Sequence, residues 1–376
     1  MLINPLDMYH VLSENDIDFF TGVPDSLLKE FCLCIDDFTT PKNHIIAANE
    51  GNAIALAAGY YLAKKSIPLV YMQNSGLGNA INPLLSLCDQ DVYAIPMVIM
   101  VGWRGEPGIK DEPQHIKQGK VQIELLNVMN IPYEIISNND SNFKEKVSSL
   151  IKKSRDESKP TVLLIKKGTF NKYKKKNLKI DNQYMKRELV LEIILKSLHK
   201  NSIIVSTTGK TSREIFEIKK KNNQSHEQDF LTVGSMGHCS SIALGIAISK
   251  PNHQVFCIDG DGSMLMHLGS IASIASIKPS NLYHILINNE VHESVGGQST
   301  AAKYVDLSAI VEAAGVNKLF IARTESEIKL MIKKLIQCSG PSFMEIKVSP
   351  GSRADLGRPT IKPVDNKVAF MNFLQK

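Results

Sequence analysis

Asp261 and Asn289 stand where two apolar runs end, and their side chains are hard oxygen donors of the kind that hold a divalent cation. Asp261 lies in Gly260-Asp261-Gly262-Ser263 after Val255-Phe256-Cys257-Ile258. Asn289 closes Asn288-Asn289 after the run Leu282 to Ile287, and the spacing predicts a helix from Ser263 to Ile277 between them. Strand, helix and strand make a βαβ unit, and its parallel strands bring both carboxyl ends to the sheet edge where open α/β sheets bind ligands. A carboxylate and an amide oxygen at that edge, with glycines that let a ligand approach the backbone, suit a metal carrying a diphosphate.

Thr207-Thr208-Gly209-Lys210-Thr211-Ser212 adds an anion-binding feature, a strand from Ile203 to Ser206 turning into a helix that begins near Ser212. It is not a Walker A loop, because the required first glycine is replaced by Ile204. Gly76-Leu77-Gly78 is not a dinucleotide fingerprint either, since Ile81 occupies the third glycine position.

The Gly-Asp-Gly and Asn-Asn pair resembles the fingerprint of the thiamine diphosphate-dependent decarboxylases. The resemblance implies Mg²⁺ held by Asp261, Asn289 and the Val291 carbonyl. It also implies a cofactor cradle of Thr208, Gly209, Ser235, Met236, Gly237, Gly260, Asp261, Gly262, Ser263 and Asn289, with Met236 propping the bent cofactor. Such enzymes need a carboxyl group against the aminopyrimidine ring, and Ala48-Asn49-Glu50-Gly51-Asn52-Ala53 is similar to the family segment that supplies it. Glu50 is thereby the expected catalytic glutamate; at a helix N-terminus backed by small residues it could be buried and so keep a proton.

Several further blocks resemble the branch of the family that decarboxylates phosphonopyruvate or sulfopyruvate. They are Gly22 to Ser26, Asn74 to Ala80, Gly102 to Gly105, Asp111 to His115, Thr208 to Arg213 and, closest to the phosphonate branch, Gly351 to Pro359. The implied reaction turns 3-phosphonopyruvate into phosphonoacetaldehyde and CO₂, a step of phosphonate biosynthesis. A doubly anionic 2-oxo acid needs cations, preferably arginines that grip oxyanions at two points. Arg104, Lys210, Arg213, Arg353 and Arg358 are the candidates. Proton transfer falls to His115, with His292 as second choice and Asp25 as a partner carboxylate or a helix cap. Other readings are a sulfopyruvate decarboxylase, a carboligase using the same cofactor, and a noncatalytic metal-nucleotide binding protein. The last has no need of Glu50.

Composition agrees with an enzyme of two domains. The chain has 376 residues, 43% of them hydrophobic, enough for two ordinary cores, and no apolar run of membrane-spanning length. Met1 to Asp18 has no basic stretch of a signal peptide, and six scattered cysteines form neither a zinc spacing nor a disulfide framework, so a cytoplasmic setting is expected. The net charge of +6 draws on Lys166, Lys167, Lys172, Lys174, Lys175, Lys176 and Lys179, read as an interdomain linker and not a nucleic-acid patch.

Strands near Ile17 to Phe20, His44 to Ala47, Leu69 to Met72, Pro96 to Val101, Pro132 to Ile136 and Thr161 to Ile165 alternate with helices. The plan repeats near Ile203, Gln254, Leu282, Lys318 and Phe343. The fold class is therefore α/β, with two doubly wound parallel sheets. By resemblance these are a pyrimidine-binding domain (1–168), a Lys-rich linker (169–185) and a diphosphate-binding domain (186–376), with no central domain. The family places its cofactor between two chains, so the expected partners are a small 2-oxo acid and a second copy of this chain, not nucleic acid or membrane.

Overall fold

Long apolar stretches separated by helix-forming segments leave the strands little choice but to lie buried on both faces. In a computed structural model, which describes residues 2–176 and 183–376, they form two six-stranded sheets with every strand pairing parallel. The first contains β1 (Phe20–Gly22), β2 (His44–Ile46), β3 (Leu69–Gln73), β4 (Met97–Gly102), β5 (Tyr133–Ile136) and β6 (Pro160–Ile165), ordered β2-β1-β3-β4-β6-β5. The second contains β7 (Ile203–Ser206), β8 (Asp229–Leu231), β9 (Val255–Gly260), β10 (Leu282–Asn288), β11 (Lys318–Ala322) and β12 (Ser342–Lys347), ordered β11-β12-β10-β9-β7-β8.

Side chains alternate across each sheet into two separate cores. On β3, Leu69 and Tyr71 face one core while Val70 and Met72 face the other. On β9, Phe256 and Ile258 face one side, Val255 and Cys257 the opposite one. Burying each such aliphatic side chain contributes about 1.5–3 kcal/mol, so polar chemistry is tolerated chiefly where strands end. That is where the polar motifs fall: Asp25 after β1, Gln73 and Asn74 at the end of β3, Arg104 after β4, Thr208 after β7, Asp261 after β9 and Asn289 after β10.

The described chain divides into two compact units, Met1–Lys179 with Ser294–Gln298 and Ile180–Glu293 with Ser299–Lys376. Of the expected linker, Lys179 and the rest of 177–182 lie outside the described residues. The preceding part is pinned to the helix Lys29–Phe38: Lys175 Nζ reaches Asp36 at 2.8 Å, the Tyr173 hydroxyl donates to Asp37 at 3.0 Å, and its amide donates to Glu30 at 2.7 Å. No described helix is long and apolar enough to cross a membrane, and the six thiols are free.

Three local expectations shift. The first strand pairs from Phe20 instead of Ile17, because Asp16 turns the chain at φ 64°; Ile17 is buried ahead of the strand, and Phe19 contributes only its carbonyl, to the Leu69 amide at 2.9 Å. The helix expected from Ser263 to Ile277 is two helices, Asp261–Met266 and Ser270–Ile277, with Gly269 opening the second. β8 has no forewarning in the sequence because only three residues pair.

Candidate active site

In the second unit, the register of β10 on β9 pairs Ile287 with Gly260, so Asp261 and Asn289 emerge from neighbouring strands at one edge. Asp261 is 3% exposed, and burial pushes its carboxyl up to about 6, partly offset by a short hydrogen bond from the Thr300 hydroxyl and by backbone amides. Desolvation disfavours the charge, and a divalent cation would restore what burial removes; this donor chemistry fits Mg²⁺. Asn289 Oδ1 accepts the Val291 amide at 3.2 Å, and the Val291 carbonyl accepts the Glu293 amide at 2.9 Å. Each oxygen keeps a second lone pair for a metal.

The loops expected to take the diphosphate are tied to one another. Thr208 Oγ1 accepts the Gly234 amide and Ser263 Oγ accepts the Gly237 amide, both at 3.1 Å. Gly237 has φ 89°, and a Cβ there would lie 2.5 Å from the His267 ring, so this turn requires glycine. Its neighbour Ser235 is also left-handed, at φ 49°, and Met236 is half-buried between them. Gly209, at φ 94°, opens the helix Lys210–Lys221, and no atom would crowd a Cβ built on it. An open helix N-terminus of this kind suits a diphosphate.

In the first unit, Glu50 begins the helix Glu50–Lys64, capped by Asn49 Oδ1 on the Asn52 amide at 2.9 Å. Its carboxyl is 5% exposed and raised by burial, with Asn79 Nδ2 donating to Oε2 at 2.8 Å in partial compensation. Gly76 lies beneath it: a Cβ there would stand 2.2 Å from Glu50 Oε1. The obstructed atom is the end of a flexible side chain, so Gly76→Ala is expected to fold but displace the carboxyl. Turnover should fall on the order of 10²-fold, as for a misplaced catalytic group. Steady-state kinetics beside a melting curve checks this, and full activity in the variant would remove the constraint.

Asp25 is seated in the same way over Gly102, whose Cβ would lie 2.2 Å from Oδ2. It is fully buried and its pKa is raised by burial, against hydrogen bonds from Gln73 Nε2 (2.6 Å) and the Leu27 amide (2.9 Å). The bond to Leu27 is a local turn made while Oδ1 remains on Gln73; the helix Lys29–Phe38 has Leu28 at its N-cap and no side-chain cap, so Asp25 is not its cap. His115 lies in the first turn of the helix Pro113–Lys120, not on a loop. Its Nδ1 is buried without a hydrogen-bond partner among the described residues, and burial, helped by the Arg104 charge, lowers its pKa to about 4. His292 reaches over Gly262 in the second unit and is lowered to about 4 by burial.

The candidate cations are mostly engaged. Arg104 forks onto Asp111, with Nε to Oδ2 at 2.8 Å, and donates to Ser26 Oγ at 2.8 Å. Lys210 meets Glu293 at 2.8 Å. Arg213 holds the Leu356 and Gly357 carbonyls, and Arg353 pairs with Glu188, Glu217 and Asp355. Arg358 is exposed.

Sequence reasoning passed over Glu293 and Arg187. Glu293 takes Lys210, Arg187 Nη1 at 2.8 Å and Asn289 Nδ2 at 3.0 Å, so it links a candidate cation to a candidate metal ligand. Burial pushes its carboxyl up, but the two cations hold it down at about 2. Arg187 also forks onto buried Glu214 at 2.7 and 2.8 Å. Thr300 had no local signal; it reaches Asp261 because the chain doubles back through the Val291–Ser299 bridge. Asn79, in the segment Asn74 to Ala80, carries no local sign in the sequence that it would donate to Glu50.

Two compact α/β units, one with a buried glutamate and the other with a candidate metal-and-phosphate edge, define a class, and comparisons with known proteins agree. Residues 7–127 match the thiamine pyrophosphate enzyme N-terminal TPP binding domain, and residues 207–346 match the C-terminal TPP binding domain. The chain belongs to the thiamine pyrophosphate (thiamine diphosphate) enzyme family, and thiamine diphosphate is its cofactor. It is similar to phosphonopyruvate decarboxylase of Streptomyces hygroscopicus, with 31% identity over 99% of this chain and 94% of that protein. It is equally similar to phosphonopyruvate decarboxylase of Streptomyces viridochromogenes, with 31% identity over 99% of this chain and 95% of that protein. Sulfopyruvate decarboxylase of Methanosarcina acetivorans is 25% identical over 93% of each chain.

Proposed function

We propose that this protein is a lyase that decarboxylates 3-phosphonopyruvate to phosphonoacetaldehyde and CO₂ in phosphonate biosynthesis. The observation that carries the chemistry is the buried Glu50 carboxyl, raised by burial and seated over a glycine, because a binding module needs no such group. Bound thiamine diphosphate supplies a ring that accepts the electron pair released as CO₂ leaves. Glu50 holds the proton that the aminopyrimidine needs. Asp261, Asn289 and the Val291 carbonyl hold Mg²⁺, and the loops at Thr208-Gly209 and Ser235 to Gly237 take the diphosphate.

The first unit then serves as the pyrimidine domain and the second as the diphosphate domain, joined by the Lys-rich stretch 169–185. His115 is our first choice for proton transfer and His292 the second. Burial holds both imidazoles neutral near pH 7 and makes each a weak base, so the charge of a bound anionic substrate is what would favour a proton there. Arg104, Lys210, Arg213, Arg353 and Arg358 are proposed for the carboxylate and phosphonate. A phosphonate approaching two charges at neutral pH draws more from such a set than a sulfonate with one. The higher identity to the phosphonopyruvate enzymes supports the same choice.

A second copy of this chain is the proposed macromolecular partner. An apolar groove on the first unit, lined by Phe19, Ile45, Ala47, Ala55, Leu56 and Tyr60, is suited to burial against protein. A cytoplasmic setting accords with six unpaired thiols.

The deciding experiment measures CO₂ release with Mg²⁺ and thiamine diphosphate from phosphonopyruvate, sulfopyruvate and pyruvate. A kcat/KM at least about 10-fold higher for phosphonopyruvate is expected, since a charged group unmatched to its pocket forfeits more than ~1.4 kcal/mol. Preference for sulfopyruvate would replace the substrate and keep the chemistry. No cofactor-dependent release from any of the three would overturn the decarboxylase reading.

A further inference from the structure

Beneath the candidate Mg²⁺ edge, on the opposite side of the sheet from the core formed by Phe256 and Ile258, Cys239, Cys257 and Asp259 converge, with His284 beside them. Cys257 and Asp259 are two apart on β9 and so share a face, and the register pairs His284 of β10 with Cys257, placing it beside them. Cys239, the first residue of the helix Cys239–Ser249, closes the group from above. One ligand atom from each of Cys239, Cys257 and Asp259 lies within 4.8 Å of the others, and His284 Nε2 is 3.6 Å from Asp259 Oδ2. All four side chains are buried, at 0–3% exposure.

We infer that Cys239, Cys257, Asp259 and His284 form a second, structural metal site for a zinc-class divalent ion, distinct from the Mg²⁺ site at Asp261 and Asn289. Two observations carry this. The Sγ atoms are 3.7 Å apart, and a tetrahedral ion with metal–sulfur bonds of about 2.3 Å places two thiolates about 3.8 Å apart. The second is polar: Asp259 Oδ1 accepts the Gly260 amide at 2.8 Å, its Oδ2 and His284 Nε2 meet only as an ion pair at 3.6 Å, too long for a hydrogen bond, and His284 Nδ1 has no hydrogen-bond partner among the described residues. Buried acceptors left unmade cost free energy, and coordination satisfies them. Two sulfurs with one imidazole and one carboxylate select a soft or borderline ion over Mg²⁺.

Binding displaces the protons that the two thiols and the Asp259-paired His284 hold, and involves no redox change. Cys239 directly follows the loop that carries Met236 and Gly237, and Asp259 directly precedes Gly260. The ion would therefore clasp the two cofactor-binding loops at their bases.

The test is direct metal analysis of the full chain, independent of the catalytic reading. Protein loaded with Zn²⁺ and passed through a chelating resin is expected to retain about one zinc per chain. Asp261→Asn should retain the same zinc, while Cys239→Ser and Cys257→Ser should lose it. Should the serine variants fail to fold, Co²⁺ on the wild type decides: a sulfur-to-cobalt charge-transfer band in the near ultraviolet, with tetrahedral d–d bands in the visible, is expected. Zinc retained at no more than a tenth of an equivalent, together with a cobalt spectrum of octahedral type lacking the sulfur band, would overturn the site and leave only packed thiols.

Discussion

Replacing Glu50 by glutamine is expected to lower turnover by roughly 10²–10⁴-fold while cofactor affinity changes little, the range for loss of a proton-handling group. The substitution keeps the volume and can still accept from Asn79 Nδ2, so the buried contact at 2.8 Å survives. What disappears is the titratable proton, which burial at 5% exposure stabilises on this carboxyl. A structural glutamate would behave differently, since replacing a buried, poorly solvated carboxyl by a neutral amide should then be neutral or stabilising for the fold and silent in kinetics. Measuring kcat beside thiamine diphosphate binding by circular dichroism separates the two roles. Retained turnover in Glu50→Gln would take the residue out of the chemistry.

Asp261→Asn is expected to weaken Mg²⁺-dependent cofactor binding by at least about 100-fold, because it removes the one charged ligand from the proposed metal set. The wild type should show the same loss reversibly. With the carboxyl held near 6 by burial, protons compete with the metal as pH falls through that value, so Mg²⁺ affinity should be full well above pH 6 and decline below it. Titrating Mg²⁺ between pH 5 and pH 8 (roughly one unit or more to either side) checks the sign; a flat affinity would contradict it. The pair of variants also tests how sites are assembled. If Glu50 and Asp261 of one site come from different chains, dissociating and remixing the two inactive variants should restore about a quarter of wild-type activity. Half the dimers are then mixed, and each mixed dimer has one intact site. No recovery after verified subunit exchange would mean that each chain builds its own site.

Much of the fold was legible in the sequence because parallel strands covered on both faces must be apolar throughout, and such runs are visible without knowing their partners. The placement of Asp261, Asn289 and Glu50 beyond strand ends was legible for a related reason. Strands that end together on a parallel edge put their following residues in one place, so motif and position are the same information. Where pairing is brief or loops return from afar, that logic lapses. β8 pairs over three residues only. Thr300 reaches Asp261 through a fold-back bridge, and Glu293 meets Lys210, Arg187 and Asn289 by distances in space that no spacing encodes.

The cations show the division most plainly. Sequence could name Arg104, Lys210, Arg213 and Arg353 as charges in matched blocks, but each carboxylate or carbonyl that answers them lies elsewhere along the chain or across a turn. Whether a charge is offered to a ligand depends on what else is within reach of it, at ranges of a few ångströms. The same holds for Cys239, Cys257, Asp259 and His284, scattered in sequence and without a metal-binding spacing, yet gathered by strand parity, register and one helix start. The sequence by itself determined the two parallel sheets, the family and the residue types at the strand ends. Only the tertiary structure decided which carboxyls are dry enough to hold a proton, which cations are already matched, and which buried donors face one another, because burial and pairing are properties of the packed chain and not of its order.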